Sequence, residues 1–231
     1  MTTTLLVFDI DGTLLSTPAG RWAFNRTFER FFGIPDSCAT VPMAGRTDLL
    51  IYRDVCAAHR LDPEGFAEWR EKYLGVLAEA LVEDPGIVHP GVVALLKSAR
   101  LEPGFALALG TGNIEEGARM KLDKHGLNEF FPCGGWGDDG DSRDDMIAAA
   151  VGRAAALQGR PFDRVVVIGD TPHDIACGQA NRCITLGVAT GRHSQDELAA
   201  CGADVVLANF ADTEHVVNLL RTLDIAKRTG A

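Results

Sequence analysis

Two carboxylates one residue apart, Asp9 and Asp11, close the apolar run Leu5-Leu6-Val7-Phe8 and lead into Gly12-Thr13-Leu14. Acids placed this way suit phosphoryl transfer. One can attack phosphorus or hold a metal ion, and the other can handle a proton. If extended geometry continued past Asp9, both side chains would share a face. Gly12 lets the chain turn sharply away. The competing reading is a solvated strand end with an acidic turn, but a D-x-D-G-T directly behind four apolar residues is unusual for one.

A second set of chemically able residues is Leu109-Gly110-Thr111-Gly112-Asn113. It follows a strand-like run and precedes a helical one, so a hydroxyl and free backbone amides there make an anion site. Thr111, Gly112 and Asn113 are therefore expected to contact substrate. A dinucleotide loop G-x-G-x-x-G competes for this segment, but Glu115 stands where its third glycine belongs. A plain helix cap by Asn113 or Thr111 remains open.

The third set is Gly169-Asp170-Thr171-Pro172-His173-Asp174. The apolar run Val165 to Ile168 delivers Asp170 at its end. Pro172 suits a first helical turn, which would carry Asp174. Carboxylates of this kind suit a hard cation such as magnesium. The alternative is a simple N-cap by Asp170 or Thr171.

The elements that must position these groups follow from periodicity. Strands are expected over Leu5 to Asp9, Phe105 to Thr111, Arg164 to Asp170, Cys183 to Val188 and Asp204 to Leu207, with a weaker one over Phe130 to Gly135. Helical patterns cover Val92 to Ala99, Ile114 to His125, Ser142 to Leu157 and Asp212 to Leu223. Strands alternating with helices imply an α/β fold, a doubly wound parallel sheet of Rossmann-like type. One stretch breaks the alternation. Arg21 to Phe32, Asp48 to His59 and Pro63 to Leu81 carry apolar residues at helical spacing, and no strong strand lies among them. An all-helical insertion over about residues 16–87 is expected, with residues 1–15 and 88–231 forming the core. An insertion after the first strand sits over the carboxyl end of the sheet, where open α/β folds bind ligands.

All three motifs thus share one address. In order and in residue type they resemble the haloacid dehalogenase (HAD) superfamily of phosphohydrolases, and the insertion is similar to the helical cap of its phosphoglycolate phosphatase-like branch. The resemblance covers the whole chain. It implies a Mg2+-dependent phosphatase acting on a small phosphorylated metabolite, with phosphoglycolate-like substrates among the options. Asp9 would be nucleophile and metal ligand. Asp11 would be general acid and base, its carbonyl also on the metal. Thr111 would hold the transferring group, Asp170 would ligate metal and Asp174 would support that site. The family's cation is usually a lysine, and the best match in the required interval is Arg143 in Gly140-Asp141-Ser142-Arg143. Arginine can pair bidentately with phosphate. Arg46 and Asp48, which follow Gly45 in the inserted segment, could reach the leaving group, and a solvated loop is the alternative.

Composition bounds the rest. The chain has 231 residues, of which 46% are hydrophobic and 23% charged, enough for one core plus a smaller inserted domain. A net charge of −10 argues against nucleic acid as partner. No run approaches the roughly 18 apolar residues of a membrane span, and Met1 to Phe8 lacks signal-peptide features, so a cytoplasmic monomer or homodimer is expected. Six cysteines without metal-ligand spacing read as reduced thiols. The crowd of acids from Asp138 to Asp145 fails the calcium-loop pattern and reads as a solvated loop. His173 reads as a neutral loop histidine and Lys72 as solvated. Asp11 counts against a true dehalogenase. The enzymatic alternative is a β-phosphoglucomutase-like enzyme, and the non-enzymatic one is a phosphate-binding module without turnover.

Overall fold

The computed structural model describes residues 2–223. Along the chain run β1 (Thr4–Phe8), β2 (Leu15–Ser16), α1 (Ala19–Phe32), α2 (Asp48–His59), α3 (Phe66–Glu83), β3 (Ile87–Val88) and α4 (Val92–Leu101). There follow β4 (Phe105–Gly110), α5 (Glu115–Asp123), β5 (Gly134–Gly135), α6 (Arg143–Gln158) and β6 (Arg164–Gly169). The described part closes with α7 (Pro172–Ala180), β7 (Ile184–Val188), α8 (Gln195–Ala200), β8 (Val205–Leu207) and α9 (Thr213–Thr222).

Six strands form one parallel sheet in the order β5-β4-β1-β6-β7-β8. β1 is central and all five of its residues are buried. Its alternate side chains feed two cores. Leu6 and Phe8 join Leu95, Leu109, Ile168 and Leu220 on one face, and Leu5 and Val7 join Met146, Ile147 and Val167 on the other. Cover on both faces explains why the strand reads as a continuous apolar run rather than an alternating one. Each such side chain, fully buried, contributes about 1.5–3 kcal/mol.

A third apolar cluster belongs to α1, α2 and α3. Phe24, Phe28, Tyr52, Trp69 and Tyr73 pack in it, with Trp69 stacked on Tyr73 at 4.7 Å and 10°. Ile114, from the loop after β4, also inserts there. The chain leaves the sheet for these helices through β2 and returns through β3, and the two pair antiparallel, Leu15 opposite Val88 and Ser16 opposite Ile87. The His89 amide donates to Leu14 O at 3.0 Å and ties the same crossing.

The doubly wound parallel sheet matches the periodicity. Differences are local. Of the stretch Phe130 to Gly135, only Gly134–Gly135 pairs as strand, behind a 3-10 turn at Asn128–Phe130. β2 and β3 are two residues each, too short to show a period. α8 carries a readable start in Ser194 and Glu197, a capping box, although its six residues offer little periodicity. Among the described residues no helix is long and apolar enough to cross a membrane.

Candidate active site

Strand register brings the three motifs to one level. Phe8 lies opposite Leu109 on one side and Ile168 on the other. The next residues therefore emerge together at the carboxyl edge: Asp9 from β1, Thr111 beyond β4 and Asp170 beyond β6. The Asp9 amide donates to Ile168 O at 2.9 Å, and its side chain is buried. Gly12 then turns the chain with φ +89°, in the left-handed region. It also makes room for its neighbour, since a Cβ there would fall 2.4 Å from Asp170 Oδ2. Thr13 Oγ1 donates to Asp170 Oδ1 at 3.2 Å.

Asp9, Asp170 and Asp174 each present a carboxylate oxygen, and the three oxygens lie within 4.8 Å of one another. α7 fixes the third of them. Its N-cap Thr171 donates from amide and hydroxyl to Asp174 Oδ2 at 3.0 and 2.7 Å. The other Asp174 oxygen, Oδ1, accepts from Arg143 Nη2, brought in by the first turn of α6. The Arg143 side chain is only 9% exposed, and its Nε is a buried atom without a hydrogen-bond partner.

Charge is unbalanced here. Burial, with Asp174 next in weight, holds the Asp9 carboxyl well above the usual carboxylate range. The same two causes push Asp170 up to about 7. Burial works against the Arg143 charge, but Asp174 and Asp9 outweigh it and hold its proton more tightly than usual. Three buried carboxylates facing one guanidinium leave net negative charge with oxygen donors only. That donor set fits a hard divalent cation and offers nothing to a soft one.

Asp11 stands apart. Its side chain is not among the three clustered carboxylates and remains 41% exposed. The strand ends at Phe8, so extended geometry does not by itself place Asp11 beside Asp9, although both line one cavity. Both Asp11 oxygens accept from Lys121 Nζ, at 2.8 and 2.7 Å, and Oδ2 also accepts from Asn113 Nδ2 at 2.7 Å. Asn113 Nδ2 donates to Thr111 Oγ1 as well, at 2.8 Å. The motifs read from the sequence give Lys121 no site role. A signal was present: it shares the buried stripe of α5 with Gly117, Ala118 and Leu122, and a lysine there needs a partner.

A cavity of about 1020 Å³ lies between these groups and the inserted helices, lined by Asp9, Asp11, Thr111, Lys121, Arg143 and Asp170 below and by Arg21, Phe24, Arg46 and Tyr73 above. Arg46 lines it while paired with Asp54. Gly112 permits the close approach of the two parts, for a Cβ there would lie 2.3 Å from Arg46 O and 3.1 Å from Arg143 Nη1. Asp48, at the start of α2, is buried. Its amide donates to Gly112 O at 2.7 Å and its carboxylate accepts from the Ile114 amide at 2.9 Å. Burial raises its pKa to about 7, against the pull of Lys121. The sequence singles out Asp48 only with Arg46, as a group that could reach the leaving group, and does not foresee this clasp on the Gly112 to Ile114 loop.

Three discounted groups also have places. Burial, then Arg143, lowers the His173 pKa and favours its neutral form. Of the acids from Asp138 to Asp145, Asp138 and Asp139 are partly buried and ion-paired with Arg70 and Arg153, whereas Asp141 pairs with Arg53 and stays exposed, as do Asp144 and Asp145. Of the six cysteines five are buried and Cys201 is exposed.

Comparison with known proteins agrees with this geometry. Residues 6–179 match the model of the haloacid dehalogenase-like hydrolase family. The chain is 28% identical over 230 residues to the "Probable phosphatase IndB" of Dickeya dadantii, covering 95% of each chain. It is 27% identical over 219 residues to the "Pyrophosphatase PpaX" of Listeria monocytogenes, covering 93% of this chain and 96% of the relative. The crystal structure of a "predicted phosphatase" from Clostridium acetobutylicum superposes with a TM-score of 0.69 at 21% identity, over 95% of this chain and all of that one. With a family match that spans all three motifs, the chain belongs to the haloacid dehalogenase-like hydrolases.

Proposed function

We propose that this chain is a magnesium-dependent phosphatase that hydrolyses a small phosphomonoester through a phospho-aspartate on Asp9. One observation carries the reading: Asp9, directly after the central strand, lies in a buried cluster with Asp170 and Asp174 and lines a cavity together with Thr111. The relatives' names, a phosphatase and a pyrophosphatase, support the same chemistry.

An Asp9 oxygen attacks phosphorus, and the bond from phosphorus to the ester oxygen breaks. Asp11 gives its proton to the departing oxygen. The alcohol leaves, and Asp11, now a carboxylate, takes a proton from water. The water oxygen attacks phosphorus, and the bond from phosphorus to Asp9 breaks, freeing inorganic phosphate and restoring both carboxyl groups. Thr111, the Gly112 and Asn113 amides and Arg143, which lines the cavity beside Gly112, hold the phosphoryl oxygens. Asp9, Asp170 and the Asp11 carbonyl would hold Mg2+, with Asp174 in support. The ion would supply charge neutralisation for the nucleophile and the phosphoryl oxygens.

Residues 16–87 act as a cap that excludes water and reads the rest of the ester, with Arg46 reaching toward the leaving group. Small substrates follow from a cavity roofed by that cap. The test is phosphate release from a panel of small phosphomonoesters, with magnesium and with excess chelator. Release that needs magnesium but no bisphosphate activator is expected, and a requirement for the activator would favour the mutase reading. No release from any ester would contradict both and favour a binding module.

A further inference from the structure

We propose that Lys121 is a positioning residue that holds the Asp11 carboxylate in its working orientation. The proposal rests on the acid–base role given to Asp11 above. Asp11 leaves the sheet in a turn, and its side chain is too exposed for packing to fix its rotamer. Hydrogen bonds must fix it instead. Lys121 Nζ reaches both Asp11 oxygens, at 2.8 and 2.7 Å, and spends its third donor on Asn113 Oδ1 at 2.7 Å. Asn113 returns a hydrogen bond from Nδ2 to Asp11 Oδ2. A lysine has three donors, and here all are used. Two contacts to the carboxylate define its plane, and the link through Asn113 ties that plane to the Thr111 loop.

The burial of Lys121 argues that this arrangement is specific. The residue is 3% exposed, so its ammonium has exchanged water for these three acceptors. α1 covers it closely, since a Cβ on Gly20 would lie 3.2 Å from Nζ. A buried ammonium is costly unless paired and hydrogen-bonded. A surface ion pair would have met the same Coulomb need without sacrificing hydration. The lysine sits on α5, a core helix that also follows the phosphate loop, so Asp11 is aligned from the same rigid element as the groups that hold the phosphoryl oxygens.

The test uses Lys121→Met, which keeps length and removes the donors, and Lys121→Gln, which retains a donor and guards against misfolding of the first. The readout is rapid-quench transfer to Asp9 from an alkyl phosphate and from nitrophenyl phosphate, compared with Asp11→Asn. An alkyl leaving oxygen needs a placed proton donor and the nitrophenolate needs it far less. Lys121→Met is expected to slow alkyl transfer by about 10- to 10²-fold, the scale of a misplaced catalytic group, and aryl transfer only slightly. Lys121→Gln should recover part of the alkyl rate, and Lys121→Met should add little to Asp11→Asn. Equal losses for both esters in both Lys121 variants, beside a selective alkyl loss in Asp11→Asn, would overturn the proposal and leave Lys121 structural. Equal losses in Asp11→Asn itself would instead remove the acid role of Asp11, and the proposal with it.

Discussion

Asp48 and Ile114 join the helical insertion to the phosphate loop: the Asp48 carboxylate accepts from the Ile114 amide at 2.9 Å, while the Asp48 amide donates to Gly112 O at 2.7 Å. One residue of α2 therefore clasps the loop that carries Thr111, Gly112 and Asn113. Ile114 adds an apolar contact by packing among the helices of the insertion.

This clasp has a pH signature. The Asp48 carboxyl has a native pKa of about 7, against an ordinary value near 3.8. Between those values the unfolded chain has lost the proton and the native one keeps it, so native stability falls as pH rises. Asp48→Asn carries no such titration. The stability of wild type relative to Asp48→Asn should therefore decline from pH 5 to pH 8, by on the order of 2 kcal/mol. Thermal unfolding of both proteins measures the gap, and effects common to both cancel. Asp48→Ala should cost about 1–3 kcal/mol at pH 5, because the Ile114 amide loses its buried acceptor, and less at pH 8, where the wild type has lost the stability tied to its proton.

Metal affinity should depend on pH through Asp170 and Asp9. Both hold protons more tightly than ordinary carboxylates without an ion. A binding cation must displace those protons, so its apparent affinity should weaken as pH falls below 7. Calorimetry in buffers of different ionisation enthalpy should detect proton release. Asp170→Asn should raise the magnesium requirement and flatten the pH dependence. A magnesium affinity unchanged between pH 5.5 and 8 would count against these ligands.

Arg143 is expected to matter through charge. Arg143→Ala removes a buried donor beside Asp174 and Gly112 and should lower turnover by about 10²- to 10³-fold, as loss of a transition-state electrostatic contact does. Arg143→Lys should restore part of it. Wild-type turnover in Arg143→Ala would mean that another group steadies the phosphoryl oxygens.

The insertion should discriminate by size. A cavity roofed by α1, α2 and α3 should admit a small ester and exclude a folded phosphoprotein. The comparison is turnover of a small phosphomonoester against a phosphoserine protein. Equal efficiency on both would contradict a closing cap.

Much of this was legible because strong local patterns carry it. Val165 to Ile168 reads as a buried strand at any level of analysis, and Asp170 behind it needs no other clue. The Gly12 turn and the Thr171 cap are written in residue type. What stayed hidden depends on partners distant in sequence. Lys121 meets Asp11 across 110 positions and Asp48 meets Ile114 across 66. No periodicity announces such pairs, although a lysine on the Gly117–Ala118–Leu122 stripe hinted at one. That Asp11 stays outside the carboxylate cluster of Asp9 was not legible either, because the strand ends at Phe8 and periodicity says nothing beyond it. The ion pairs of Asp138, Asp139 and Asp141 were missed because their arginines come from three separate elements.

The central claim is the phosphorylated Asp9. The direct measurement is acid quench of the enzyme during turnover of a 32P-labelled phosphomonoester, followed by peptide mapping of the trapped acyl phosphate. Label is expected on Asp9, and Asp9→Asn should fold normally, trap nothing and release no phosphate, because an amide of similar shape is a poor nucleophile. Label on any other residue, or near-normal turnover by Asp9→Asn, would contradict the account.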